Sequence, residues 1–361
     1  MVLVTADGTY PKHYLDEIHF YKGQIADIPE SFVHGSIKDG LFQGRIHSKN
    51  EWYSVEPAHR YVNDTTKFHS VIYNDKDVEF PEHPSGNCGI TEEIQKKMTE
   101  KLMASTDPFS DTEDNHRQKR QNQIDKQTCA LHIITDHVFF ARYMDSNEIL
   151  RQMGEHVQAA TEVFSGHDFS PYSNINFAIE RITLYNNDDI GSISYPFDGD
   201  YIGAEKYLDI ASSIADNQRY CLVFAFTNRD FANGVLGLAW IPNAANRAGG
   251  VCADSFNAGI VTTNNYGENV SPVVSHLTFA HELGHSFGSR HDPDGSRECT
   301  PGGEDGNYLM FAHASAGDLP NNNEFSSCSV TNITRVLNSI GTIRNNCFDG
   351  KTSYQYYSRL K

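Results

Sequence analysis

The 361-residue chain has no apolar run near the roughly 18 residues that a membrane-spanning helix needs, so no segment reads as a span. Its opening, MVLVTADGTY, is too short in its apolar run to be a signal peptide. No CxxC pair occurs among the seven cysteines, which removes the usual signature of a structural zinc site or a dithiol redox motif. Cations are outnumbered, 29 Lys and Arg against 47 Asp and Glu, and no basic stripe with interleaved aromatics is present. The resulting charge of −18 is spread along the chain without an acidic tail, which makes nucleic acid an unsuitable partner. Internal repeats and low-complexity tracts are missing too. What is there is 39% hydrophobic residues over a length that suits one large domain and a smaller one, with a core that needs no support from disulfides alone.

The cysteines stand at 88, 129, 221, 252, 299, 328 and 347. Six follow residue 120, an even number suited to three disulfides, and one stands alone before it; this suits an oxidising compartment. Sequons at Asn63, Asn269 and Asn332 agree, although Pro272 weakens the second. The polar stretch from about Ser105 to Thr128 reads as an exposed linker, and it holds Arg117-Gln118-Lys119-Arg120. The pattern R-x-K-R fits a secretory proprotein convertase, whose acidic cleft needs clustered cations on an extended segment. A solvated charge run is the bland alternative. The position of the run, between the lone cysteine and the other six, favours cleavage after Arg120.

The twelve residues His281 to Asp292, HELGHSFGSRHD, carry the chemistry. His281 and His285 are four apart, so on a helix both rings leave one face and can share a metal. Glu282, beside them, is placed to act as a general base on a water at the open position of a catalytic zinc. A continued helix would carry His291 away. Gly288 can take positive φ, end the helix and return His291 as third ligand. Downstream, Asn307-Tyr308-Leu309-Met310 supplies the second element, a Met-turn.

The remaining pattern is α/β. Residues 1–100 alternate with turn glycines, as in SIKDGLFQGRIHSKNEWYSVEP, and read as a small β-rich propiece. Residues 101–120 form the linker with its convertase site, 121–350 the catalytic domain and 351–361 a tail. Within the catalytic part CALHIITDHVFF reads as a strand. A helical stripe follows at Ile149, Leu150, Met153, Val157, Ala160 and Phe164. Further strands are expected at 175–185, 220–226, 235–241 and 259–263, with a helix at 204–215. The metal-binding helix should begin near Pro272, capped by Ser271. The last helix should run from about Val330 to Ile343. The run GVLGLAW (234–240) suits an edge strand at the rim of a cleft, with Leu236, Gly237 and Leu238 offering main-chain hydrogen bonds to an extended substrate.

With Asp292 directly after the third histidine, this pattern resembles the adamalysin or reprolysin branch of the metzincins, and within it the Kuzbanian-type ADAM proteases. The similarity runs from about Phe20 to Phe348 and includes Phe32 to Gly40, TDHVFF, FTNRDFANGVLGLAW, NYGENVSPVVSHLTFAHELGH and NNNEFSSCS. It implies a catalytic domain with a twisted mixed five-stranded sheet, a long zinc helix and a Met-turn at Met310. It further implies zinc on His281, His285 and His291, Glu282 as base, and a specificity pocket walled by Phe311 to Ser315. The implied disulfides are Cys129–Cys221, Cys252–Cys347 and Cys299–Cys328. The implied activity is a zinc metalloendopeptidase made as a zymogen. It would shed ectodomains of membrane proteins, including Notch-pathway substrates, in the secretory pathway or at the cell surface. Relatives continue into disintegrin, cysteine-rich and transmembrane parts, so this chain is expected to be a piece of a longer protein. Calcium stays open as a second cofactor, without a readable signature. A non-catalytic binding module of the same branch would have lost the base or a ligand, and all four positions are intact here. Cys88, in HPSGNCGI, is left without a partner once the six later cysteines pair, and is the candidate for a cysteine switch, in which a propiece thiolate fills the open zinc position; a disulfide to a segment outside this sequence and an incidental thiol are the alternatives.

Overall fold

The structure is a computed structural model that describes residues 2–5, 8–11, 19–49, 51–62, 68–78, 86–105, 127–199, 201–214, 217–245, 247–348 and 357–359. Arg117, Lys119, Arg120 and Asn63 lie outside the described residues.

A short hairpin, β1 (Val2–Thr5) and β2 (Gly8–Pro11), precedes an antiparallel meander of β3 (His19–Ile25), β4 (Ile28–Lys38), β5 (Leu41–Ser48), β6 (Glu51–Pro57) and β7 (Ser70–Asn74). Asp39 and Gly40 join β4 to β5 with φ of 52° and 77°, the handedness that a two-residue hairpin turn requires. Next come β8 (Asn87–Cys88) and α1 (Glu92–Ser105). The larger unit then runs β9 (Thr128–Thr135), α2 (His137–Tyr143), α3 (Ser146–Ser165), β10 (Asp168–Phe169), β11 (Tyr172–Ser173), β12 (Asn176–Leu184) and α4 (Ala204–Ser213). It ends with β13 (Leu222–Thr227), β14 (Val235–Ala239), β15 (Ala258–Thr262), β16 (Asn264–Asn265), β17 (Glu268–Asn269), α5 (Pro272–Ser286) and α6 (Ser327–Leu337). A last strand, β18 (Tyr357–Arg359), pairs with β3 and places the tail in the N-terminal sheet.

The main sheet has the order β2-β1-β12-β9-β13-β15-β14-β8. Strands β12, β9, β13 and β15 are parallel and β14 is antiparallel to β15, which gives the mixed five-stranded sheet at its centre. The N-terminal part lengthens it at both edges, with β1 beside β12 and β8 beside β14. Strand β13 shows why the sheet is closed on both faces. Phe224 and Phe226 point into a core made with Met153 and Val157 of α3 and Phe279 and Leu283 of α5. Val223 and Ala225, on the opposite face, join Tyr207 and Leu208 of α4 and Met98 and Leu102 of α1.

Helix α5 starts as its sequence dictates: Ser271 accepts a hydrogen bond from the Val274 amide and Pro272 occupies the first turn. Three expectations need correction. The strand expected over CALHIITDHVFF stops at Thr135, because Asp136 accepts the Phe139 amide and opens α2 at His137. The last helix begins at Ser327 rather than Val330, since Ser326 accepts the Ser329 amide; it ends at Leu337, yet Ile333, Val336, Leu337 and Ile340 are all buried as the stripe requires. The N-terminal part is not only β-rich: α1 (Glu92–Ser105) crosses the boundary placed at residue 100. The disulfides are Cys129–Cys221, Cys252–Cys347 and Cys299–Cys328, the pairing that the resemblance implies. Cys88 is free.

Candidate metal centre

Helix α5 is buried along almost its whole length, and its last two turns put His281 and His285 on one face. Gly288 takes φ of 103°, a conformation that strains any side chain, and the turn brings His291 back against both rings. The three imidazoles then lie 4.7 to 5.3 Å apart, centre to centre. Backbone carbonyls fix two of them. With Nδ1 carrying the proton, His281 donates to the Leu309 carbonyl at 2.7 Å and His285 to the Ser289 carbonyl at 2.8 Å, which turns each Nε2 inward. Burial pushes the histidine pKa values down, to about 4 for His281 and about 3 for His291, so the rings are neutral donors.

Cys88 completes the cluster from the N-terminal part. Its Sγ is 3.3 Å from His285 Nε2, and one donor atom from each of Cys88, His281, His285 and His291 lies within 4.8 Å of the others. The Nε2 atoms of His281 and His291 are buried and have no protein partner. A buried polar atom without a partner costs about 1–3 kcal/mol, and several converging on one point are what a missing cation would satisfy. Nitrogen and sulfur donors in this number fit zinc.

Glu282 is wholly buried beside this cluster, neither carboxylate oxygen has a hydrogen-bond donor, and burial raises its pKa to about 8. Its carboxylate lies against Gly237 of β14, where a Cβ would come within 2.5 Å of Glu282 Oε1. The edge strand and the acid can therefore be neighbours only because residue 237 has no side chain. Below the site, Gly284 gives equivalent room to Met310, whose Sδ would lie 2.5 Å from a Cβ at 284. Met310 is fully buried, as a Met-turn residue should be. Asp292 ties the loop that carries the third imidazole to α6: its Oδ1 accepts from the hydroxyls of Ser326 and Ser329, and its amide donates to the Met310 carbonyl. Sequence reasoning passed over the two serines, since nothing local links positions more than thirty residues apart.

A cavity of about 520 Å³ opens beside His281 and Glu282, lined by Leu236, Val274, Leu277, Leu309, Phe311 and Ala314 among others. Phe311 to Ser315 do form one wall. Leu236 faces the cleft, whereas the Leu238 side chain belongs to the core and can serve a substrate only through its backbone. The free side of β14 is taken: β8 pairs with it in parallel, matching Gly237 with Cys88, and the Gly89 amide donates to the Gly237 carbonyl at 2.8 Å. On its other side the same segment meets the pocket wall, with the Cys88 amide on the Ala312 carbonyl and the Ala314 amide on the Gly86 carbonyl. Residues 86–89 thus cross the cleft as an extended peptide between edge strand and wall.

The sequence profile of metallopeptidase family M12, reprolysin type, matches residues 125–326. The chain is 40% identical to the human protein named disintegrin and metalloproteinase domain-containing protein 10, over 92% of this chain and 48% of the human one. A Caenorhabditis elegans homologue of that protein is 34% identical over 96% of this chain and 45% of its own length. A Caenorhabditis elegans homologue of domain-containing protein 17 is 23% identical over 61% of this chain. The chain therefore spans about half the length of the curated relatives it matches.

Proposed function

The chain belongs to the reprolysin-type M12 metallopeptidases, and from that premise we propose that it is a zinc-dependent endopeptidase held in a latent form by its own N-terminal region. The observation that carries this reading is the convergence of three imidazoles and the Cys88 thiol on one point, with Glu282 unpartnered at the rim of a cleft.

His281, His285 and His291 would hold the metal. Zinc bound there supplies Lewis acidity, lowering the pKa of a water toward about 7 and polarising a peptide carbonyl. Glu282 accepts the proton of that water and passes it to the leaving amine, since it is the buried carboxylate beside the three imidazoles and neither of its oxygens is taken by a donor. The Gly237 backbone and the 312–314 wall hold an extended peptide from both sides, as they already hold residues 86–89. The apolar cavity next to His281 receives one side chain of that peptide and so selects for a bulky apolar residue.

Cys88 acts as the switch. Its thiolate takes the position that water needs, and residues 86–89 fill the substrate's place. Cleavage by a proprotein convertase after Arg120 severs the covalent link between the propiece and the catalytic region, residues 121–350, and activity follows when the propiece leaves the cleft. Three disulfides support a secretory or cell-surface location, and the named relatives support ectodomain shedding, with Notch-type membrane proteins among the substrates the resemblance implies. Among the described residues no helix is long and apolar enough to cross a membrane.

The test is direct. The catalytic region, cut in the linker and separated from the N-terminal part, should contain one zinc and hydrolyse a peptide that carries a bulky apolar residue beside the scissile bond, whereas the uncut chain should not. Hydrolysis that survives complete removal of zinc would overturn the mechanism. Cys88→Ala in the uncut chain should raise basal hydrolysis and speed loss of zinc to a chelator; unchanged latency would leave steric blocking by residues 86–89 as the whole explanation.

A further inference from the structure

Helix α3 carries features that the metal centre does not use. Asp145, at its cap, and Glu148, Glu155 and Glu162 follow one another at intervals of three, seven and seven, which aligns them on one face. Every one meets a group from the meander. Lys38 Nζ donates to Asp145 at 2.8 Å, Arg60 pairs with Glu148, and Ser36 and Gln43 donate to Glu155 at 3.0 and 2.7 Å. His34 stands 2.9 Å and Lys22 3.5 Å from Glu162.

Beside this row is a glycine with no evident reason to be there. Gly154 is in the interior of a 20-residue helix, where it costs about 1 kcal/mol relative to alanine. The three atoms nearest to a Cβ built on it all belong to the ring of Phe20 on β3, the closest at 2.0 Å. Phe20 in turn packs against the core cluster that contains Met153 and Val157. The group that crowds this position most closely therefore comes from the N-terminal part.

We propose that this face of α3 is a dedicated recognition surface for the N-terminal part, with Gly154 as the socket for Phe20 and the carboxylate row as its charged complement. It works independently of the cleft and keeps the N-terminal part seated after the linker is cut. The biological cut rests on the precursor reading above, but the contact itself does not. The partner chemistry is an aromatic ring two residues before a cation on an extended strand, as in Phe20-Tyr21-Lys22, flanked by hydrogen-bond donors.

The experiment uses the full chain cut between Ser105 and Gln127 and measures, by gel filtration over a dilution series, how much N-terminal part remains bound. The wild type should retain it, and Cys88→Ala should retain it equally. Gly154→Ala should weaken retention at least ~10-fold, because the added methyl enters the ring's place. Phe20→Ala, which leaves the catalytic region untouched, should also weaken it. Adding Gly154→Ala to Phe20→Ala should then cost nothing further, the non-additivity of two groups that fill one space. Release by Cys88→Ala alone, equal retention in Gly154→Ala, or additive losses in the double variant would each overturn the proposal. Since binding is read rather than hydrolysis, failure of the peptidase reading would appear separately, as a catalytic region that stays inactive even after the N-terminal part has been removed from it.

Discussion

Glu282 on α5 and Glu155 on α3 are both closed off from solvent, and burial raises the pKa of both, yet their surroundings differ. Glu155 accepts from Ser36 and Gln43, whereas Glu282 has no donor on either oxygen. The same contrast separates the two places where the N-terminal part meets the catalytic region. On the α3 face every carboxylate of the row has its partner. In the cleft two imidazole nitrogens and a carboxylate are left bare. An interface made for holding gains by satisfying its polar atoms; a site made for chemistry keeps them unsatisfied so that they act on what enters.

The sharpest way to break this contrast is to neutralise both acids. Glu282→Gln should lower hydrolysis by the catalytic region, once separated from the N-terminal part, at least ~10²-fold while zinc stays bound, a typical loss for a general base. Glu155→Gln should leave the rate unchanged. Equal losses in a peptide assay paired with metal analysis would erase the distinction. Stability should respond in the opposite sense. Glu155→Ala strands the donors of Ser36 and Gln43 and should cost the uncut chain about 1–3 kcal/mol in denaturant unfolding. Glu282→Gln, measured without metal, should cost little or nothing, because it replaces one buried group without a hydrogen-bond partner by another of the same size. Next in size is Ser326→Ala, which deletes the α6 cap and one donor to Asp292; about 1 kcal/mol of stability should go, and zinc should leave the cut chain faster. The smallest effect is expected at the open end of the α3 row. Asp145 is nearly half exposed, so Lys38→Ala should change stability by less than about 1 kcal/mol and retention of the N-terminal part only slightly.

Where the sequence could be read, the signal was local. Ser271 and Pro272 announced the start of α5, and the Ile149 to Phe164 stripe became the buried face of α3. Asp39-Gly40 made the expected hairpin turn. Where the reading erred, a cap was overlooked. Asp136 stops the strand at Thr135 and opens α2, and Ser326 starts α6 three residues early. Helix α1 had a signal that was not taken: Ile94, Met98 and Leu102 at four-residue spacing, after Glu92 and Glu93 in the first turn.

The sequence by itself determined the donor set of the metal centre, because three histidines, one acid and a turning glycine within twelve residues need only a helix and its end to converge. It could not determine what stands opposite them. Cys88 is 197 residues from His285, and Phe20 on β3 of the N-terminal sheet meets Gly154 on helix α3; Glu282 touches Gly237 only because β14 borders the cleft. Such contacts follow from how strands order themselves and where helices cross them. No periodicity along the chain encodes that order, since it is set by burying both faces of the sheet at once.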